Sequence, residues 1–134
     1  RQRQMGIRDR IENYHHALAQ LAEAVQIYTA DPGDALYRDG LIQRFEFTVE
    51  LAWKSLKEYL EDQGAVLGIA SPRGVLKEAY AAGVITDAET WNRIIEARNI
   101  TSHVYDEKTA QTVADQIARE FLPVLQKLGA FYRE

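Results

Sequence analysis

Leu41-Ile42-Gln43-Arg44-Phe45-Glu46-Phe47-Thr48-Val49-Glu50-Leu51-Ala52-Trp53-Lys54 is the stretch from which the fold is read. Apolar side chains at Ile42, Phe45, Val49 and Trp53, continued at Leu56 and Leu60, recur every three or four positions, the period of one helix face. Leu41, Phe47 and Leu51 form a second stripe, so this helix is expected to pack on two sides. It should run from Ala35 or Leu41 to Gln63 and stop at Gly64. Glu46 and Glu50 lie inside its most apolar part, while Glu50-Lys54 and Lys57-Glu61 have the spacing of helix-surface ion pairs. The plain reading of these carboxylates is a solvated helix edge; a functional role is the alternative.

Working outward, Ile7 to Ala30 contains no proline or glycine and carries Ile7, Ile11, Tyr14, Leu18, Leu21, Val25 and Tyr28 on one face. Asp31-Pro32-Gly33-Asp34 turns the chain into the next helix. Downstream, Ser71-Pro72 gives an N-cap followed by a proline in the first helical position, and Gly83 ends that short helix. Thr86-Asp87-Ala88-Glu89 reads as a capping box with Thr86 as the cap, opening a fourth helix that buries Trp91, Ile94 and Ile95. A last helix, from Glu107 to Tyr132, places Val113, Ile117, Phe121, Val124 and Leu128 at helical spacing, with a kink or break expected at Pro123. The pattern predicts an all-α protein, an antiparallel up-and-down bundle of about five helices. The apolar surplus on helices two and four suggests that a second copy covers one face, making a homodimer.

A chain of 134 residues with 46% hydrophobic and 27% charged residues fits one domain over 1–134, with residues 1–5 as a disordered leader. The absence of cysteine removes thiolate chemistry and sulfur metal ligands. No apolar run reaches the ~18 residues of a membrane span, so the expected location is the cytoplasm, without membrane contact. A formal charge of −4 disfavours a broad nucleic-acid face and leaves only a local cleft of arginines for any RNA contact. Adjacent His15 and His16 point about 100° apart on a helix and read as surface residues rather than metal ligands. No metal or cofactor is expected.

The fourth helix closes with Arg98-Asn99-Ile100-Thr101-Ser102-His103-Val104-Tyr105, a density of functional groups found nowhere else in the chain. Asn99 and His103 share one face, and Arg98 and Ser102 the adjacent one. A histidine can take a proton from a ribose 2′-hydroxyl or return one to a leaving oxygen near neutral pH. An arginine offers planar donors to a phosphate in flight. Two copies brought together would supply one imidazole as base and one as acid. The same residues also fit a simple helix end, with cations near the negative pole of the dipole and polar side chains on the backbone.

Arg98 to Tyr105 resembles the Arg-x4-His-x-Tyr signature of HEPN domains in the HepT-like branch. Leu41 to Lys54 is similar to a characteristic block of the nucleotidyltransferase substrate-binding protein family in the same superfamily. Both blocks stand in the expected order, and the likeness covers nearly the whole chain. The resemblance implies a homodimer with the motif at its interface and a minimal nucleotidyltransferase encoded by a neighbouring gene. It implies that Arg98 and His103 form a metal-independent ribonuclease pair, with Asn99 as their polar neighbour. Tyr105 would be the residue that the companion adenylylates to silence the toxin. Alternatively the chain is an accessory subunit binding a substrate or nucleotide for that transferase, in which Arg44, Glu46, Glu50 and Ser102 contribute. An inert interaction bundle is the third reading.

Overall fold

The computed structural model describes residues 6–68, 70–103 and 106–134; the expected leader, residues 1–5, lies outside them. The described residues form α1 (Ile7–Ala30), α2 (Ala35–Asp62), α3 (Pro72–Ala81), α4 (Ala88–His103), α5 (Glu107–Gln116), a π-helical turn (Ile117–Phe121) and α6 (Leu122–Tyr132), with no strand among them. From α5 to α6 the backbone stays helical through Ile117 and Leu122, so these three pieces make one rod, the fifth helix of the bundle.

Side-chain pairs give the directions. Arg10 meets Glu58, Thr48 Oγ1 donates to the Ala17 carbonyl at 3.4 Å, and Arg44 donates to the Gln20 carbonyl at 2.8 Å, so α1 and α2 run antiparallel. Arg98 meets Glu50 and Thr101 meets Glu46, so α4 also opposes α2. Tyr28 reaches Asp115 and Tyr14 reaches the Leu125 carbonyl, which turns the last rod against α1. The same rod runs parallel to α2, since Phe45 stacks on Phe121 and Ser55 bonds Tyr132. The long helices therefore alternate up and down around one core, and short α3 bridges α2 and α4.

Local chemistry sets the boundaries. The Asp34 carboxylate accepts from the Tyr37 amide and opens α2 at Ala35; Gly64, at φ 99°, ends the turn after it. The Ser71 hydroxyl accepts from the Gly74 amide with Pro72 in the first turn, as the sequence predicts. Gly83, at φ 78°, occupies the left-handed conformation after α3. For α4 the cap is Asp87, not Thr86: its Oδ1 accepts from the Thr90 amide at 3.0 Å and its carbonyl receives the Trp91 amide. A carboxylate adds charge to its acceptor strength at the positive end of the helix, which favours the acid over its hydroxyl neighbour.

The expected break at Pro123 is also displaced. The chain stays helical through the proline, which sits in the first turn of α6, and the irregularity falls in the π turn just before it. Proline lacks an amide hydrogen and its ring crowds the carbonyl four residues back, here Arg119, within the π turn. Wider i to i+5 bonding there accommodates both effects without breaking the rod.

Core and surface follow the stripes with exceptions. Leu41, Phe45, Val49, Leu56, Trp91, Ile94 and Ile95 are buried; Trp53 and Leu51 are half-buried, and Phe47 is 58% exposed. On α1 the buried face is Tyr14, Ala17, Leu21, Ala24 and Tyr28, whose small residues admit α2 closely, while Ile7, Ile11, Leu18 and Val25 lie along its margin. His15 departs from the surface expectation: it is half-buried with its ring edge-on to Tyr132, centroids 6.4 Å apart. Among the described residues no helix is long and apolar enough to cross a membrane.

Candidate functional site

Helix α2 fixes the far end of α4 through two carboxylates one turn apart. Glu50 Oε1 accepts from Arg98 Nη2 at 2.8 Å. Glu46 Oε2 accepts from Thr101 Oγ1 at 2.6 Å and lies 3.3 Å from Ser102 Oγ. Because both helices repeat every ~3.6 residues, carboxylates at i and i+4 on one meet the matching ladder on its antiparallel neighbour. Each hydroxyl has one proton, and the Arg98 carbonyl oxygen competes with Glu46 for it, at 2.9 Å from Ser102 Oγ and 3.2 Å from Thr101 Oγ1; the shorter contacts give the Thr101 proton to Glu46 and the Ser102 proton to the carbonyl. The last turn of α4 is thereby tied at its side chains as well as its main chain.

Reading Glu46 and Glu50 as a solvated edge therefore fails: both are half-buried in the α2–α4 seam and bonded to the motif. The ion pairs expected from spacing do form, Lys54 to Glu50 at 3.2 Å and Lys57 to Glu61 at 3.0 Å. Glu50 thus stands between two cations. Burial pushes its carboxyl up, but hydrogen bonds from Lys54 and Trp53, with the charges of Lys54 and Arg98, outweigh this and hold it below the usual glutamate range. It is an anion at neutral pH.

The outer face of the turn is open. Asn99, Ser102 and His103 are exposed, and Asn99 and His103 lie four apart on one side of the helix. His103 ends the described part of α4, with its side chain on the exposed surface. Tyr105 lies outside the described residues. Arg44 is not part of this constellation: its guanidinium turns to α1, bonding the Gln20 carbonyl and, at 3.0 Å, Glu23. Two residues apart on a helix means about 200° of rotation, which places Arg44 opposite Glu46. Thr101 and Lys54 are the members of the network that sequence reasoning did not single out as site residues. The signal was present as the match between the Glu46–Glu50 and Arg98–Thr101–Ser102 spacings, but only the pairing of the two helices makes it readable.

The chain matches the family described as nucleotidyltransferase substrate binding protein like over residues 9–134. It belongs to that family. Helices α2 to α6 and the α2–α4 seam fall within the matched span, as does nearly all of α1. Over 82 residues the chain is 40% identical to a Haemophilus influenzae protein named probable ribonuclease HepT, covering 58% of this chain and 56% of that protein. The match thus spans only a little over half the length of this curated relative. A crystal structure of a protein from Thermus thermophilus superposes with a TM-score of 0.80 at 28% identity, covering 90% of this chain and 99% of that one. A second, from Haemophilus influenzae, is described as revealing the fold of a substrate binding domain of a nucleotidyltransferase; it superposes with a TM-score of 0.77 at 29% identity, covering 92% of this chain and 99% of that one.

Proposed function

We propose that this chain is a HEPN-type, metal-independent ribonuclease, the toxin of a toxin–antitoxin pair, acting as a homodimer and restrained by a minimal nucleotidyltransferase that adenylylates Tyr105. The observation that carries this reading is the outer face of the α4 end: Arg98 is held in place from behind by Glu50, while Asn99 and His103 stay open to solvent on a fixed helical turn. Its family and the name of its Haemophilus influenzae relative support the same assignment.

In this mechanism RNA lies across two copies of the motif. The imidazole of one His103 removes the proton from a ribose 2′-hydroxyl, and that oxygen attacks the adjacent phosphorus. The bond from phosphorus to the 5′-oxygen of the next nucleotide breaks, and the protonated imidazole of the second copy gives its proton to the leaving oxygen. The products are a 2′,3′-cyclic phosphate and a 5′-hydroxyl. The Arg98 guanidinium bonds the non-bridging oxygens as their charge grows. Exposed Phe47 and Ile100, on α2 and α4, supply apolar surface for the second copy. AMP on Tyr105, two residues beyond His103, adds bulk and negative charge where the RNA phosphate must enter.

A second reading is a non-catalytic subunit that holds a substrate or nucleotide for the transferase. The description of the family, nucleotidyltransferase substrate binding protein like, favours it. Expression of the chain alone and with its companion transferase, scored for growth, total RNA cleavage and intact mass, separates the two. The ribonuclease reading expects growth arrest and RNA cleavage that His103→Ala abolishes, relieved by the companion with addition of AMP that Tyr105→Phe prevents. A His103→Ala chain as toxic as the parent would refute it.

A further inference from the structure

Arg98 is the residue that the ribonuclease reading assigns to the phosphate, and its proposed counter-ion rests on that reading. In the folded chain Arg98 is already engaged, its Nη2 donating to Glu50 Oε1 at 2.8 Å. The other oxygen of the same carboxylate receives Lys54 at 3.2 Å, so two cations share one anion across the α2–α4 seam. Arg98 and Glu50 side chains remain 35% and 30% accessible, so the pair is partly open to solvent. A guanidinium carries five N–H donors in a rigid plane. Fixing it from one corner therefore aims the remaining donors outward. Glu46, bonded to the Thr101 hydroxyl, holds the helical turn and leaves the arginine to Glu50.

We propose that Glu50 is the built-in counter-ion of Arg98, a positioning residue that directs the guanidinium towards the substrate phosphate and, by offsetting its charge, keeps the site from binding RNA tightly between turnovers. The two roles separate chemically. Glu50→Gln keeps the length and one acceptor oxygen but removes the charge. Glu50→Asp keeps the charge but withdraws the carboxylate by one methylene. A loss of aim lowers kcat; a loss of counter-charge tightens binding and lowers KM.

The test measures the Kd for a 5′-labelled single-stranded RNA by fluorescence anisotropy in a His103→Ala background, and kcat and KM in the His103 chain. Glu50→Gln is expected to tighten Kd by about 2- to 5-fold, the size of a partly exposed ion pair, and to lower both kcat and KM. Glu50→Asp is expected to lower kcat while leaving Kd within about twofold, because the charge stays near the site. Glu61→Gln makes the same change in net charge within the Lys57 pair, about 16 Å along α2 by its 1.5 Å rise and beyond the ~8 Å Debye length at physiological salt. It should change neither constant. Unchanged Kd in Glu50→Gln, equal tightening by Glu61→Gln, or no RNA binding by any chain would each overturn the counter-ion role. A parent chain that binds RNA without cleaving it would remove the ribonuclease reading and leave the Kd comparison to decide this one.

Discussion

On the proposed ribonuclease reading, replacing Arg98 by alanine should abolish RNA cleavage while leaving the fold almost untouched, and the structure sets the size of the second effect. The ion pair with Glu50 is partly exposed at both ends, so its net contribution is about 0.2–1 kcal/mol. Glu50 is not orphaned by the change, because Lys54 still bonds its other oxygen. The charged-group penalty that accompanies the loss of one buried partner therefore does not arise. The turn itself keeps the Thr101 bond to Glu46. At an m-value of about 2 kcal/mol/M, a loss of 1 kcal/mol moves the urea midpoint by about 0.5 M. Losing a donor to a developing phosphate charge, by contrast, costs about 100- to 1,000-fold in kcat. The assay pairs cleavage of total RNA with urea denaturation followed by circular dichroism at one protein concentration, since dimerisation would otherwise shift the midpoint. Cleavage within about threefold of the parent would refute the role of Arg98. Inactivity accompanied by a midpoint shift above about 1 M would show that the arginine holds the fold together, contrary to its exposure.

Two further predictions concern the scaffold. Phe121→Ala removes a fully buried ring that stacks on Phe45 with centroids 5.6 Å apart, inside the π turn, and should cost about 3–5 kcal/mol by urea denaturation; a cost under about 1 kcal/mol would mean that the turn repacks freely. Asp87→Asn keeps a cap acceptor for α4 but cannot ionise. The backbone and side-chain bonds from Thr90 hold the Asp87 carboxyl below its ordinary range, so the extra stability of aspartate is present above the unfolded value of ~3.9 and is lost as pH falls through the lower folded value. Because Asp87 is exposed, the difference should be only about 0.3–1 kcal/mol at low salt, and urea midpoints of the two chains should converge between neutral pH and pH ~3. A gap that widened on acidification would contradict that sign.

The helices were legible from residues alone because burial of one face imposes a period of about 3.6, and because caps and stops are local. Ser71-Pro72 and Gly64 act within a turn of where they stand, so their reading needed no tertiary information. Thr86 and Asp87 show where local reading falters: two adjacent acceptors compete, and the geometry of the entering chain decides for the acid. Pro123 shows the same, since a rod stacked along α1 and α2 can absorb the proline by a π turn instead of breaking.

The chemistry divides along the same line. The concentration of arginine, amide, imidazole and phenol between Arg98 and Tyr105 is a property of the chain and was visible in it. That Glu46 and Glu50 belong with Arg98, Thr101 and Ser102, and that Arg44 does not, is a property of packing. Residues about 50 positions apart become partners only when α2 and α4 lie antiparallel in a particular register. The pattern of a single helix gives which residues share a face, but the face they meet is chosen by the burial of both helices together.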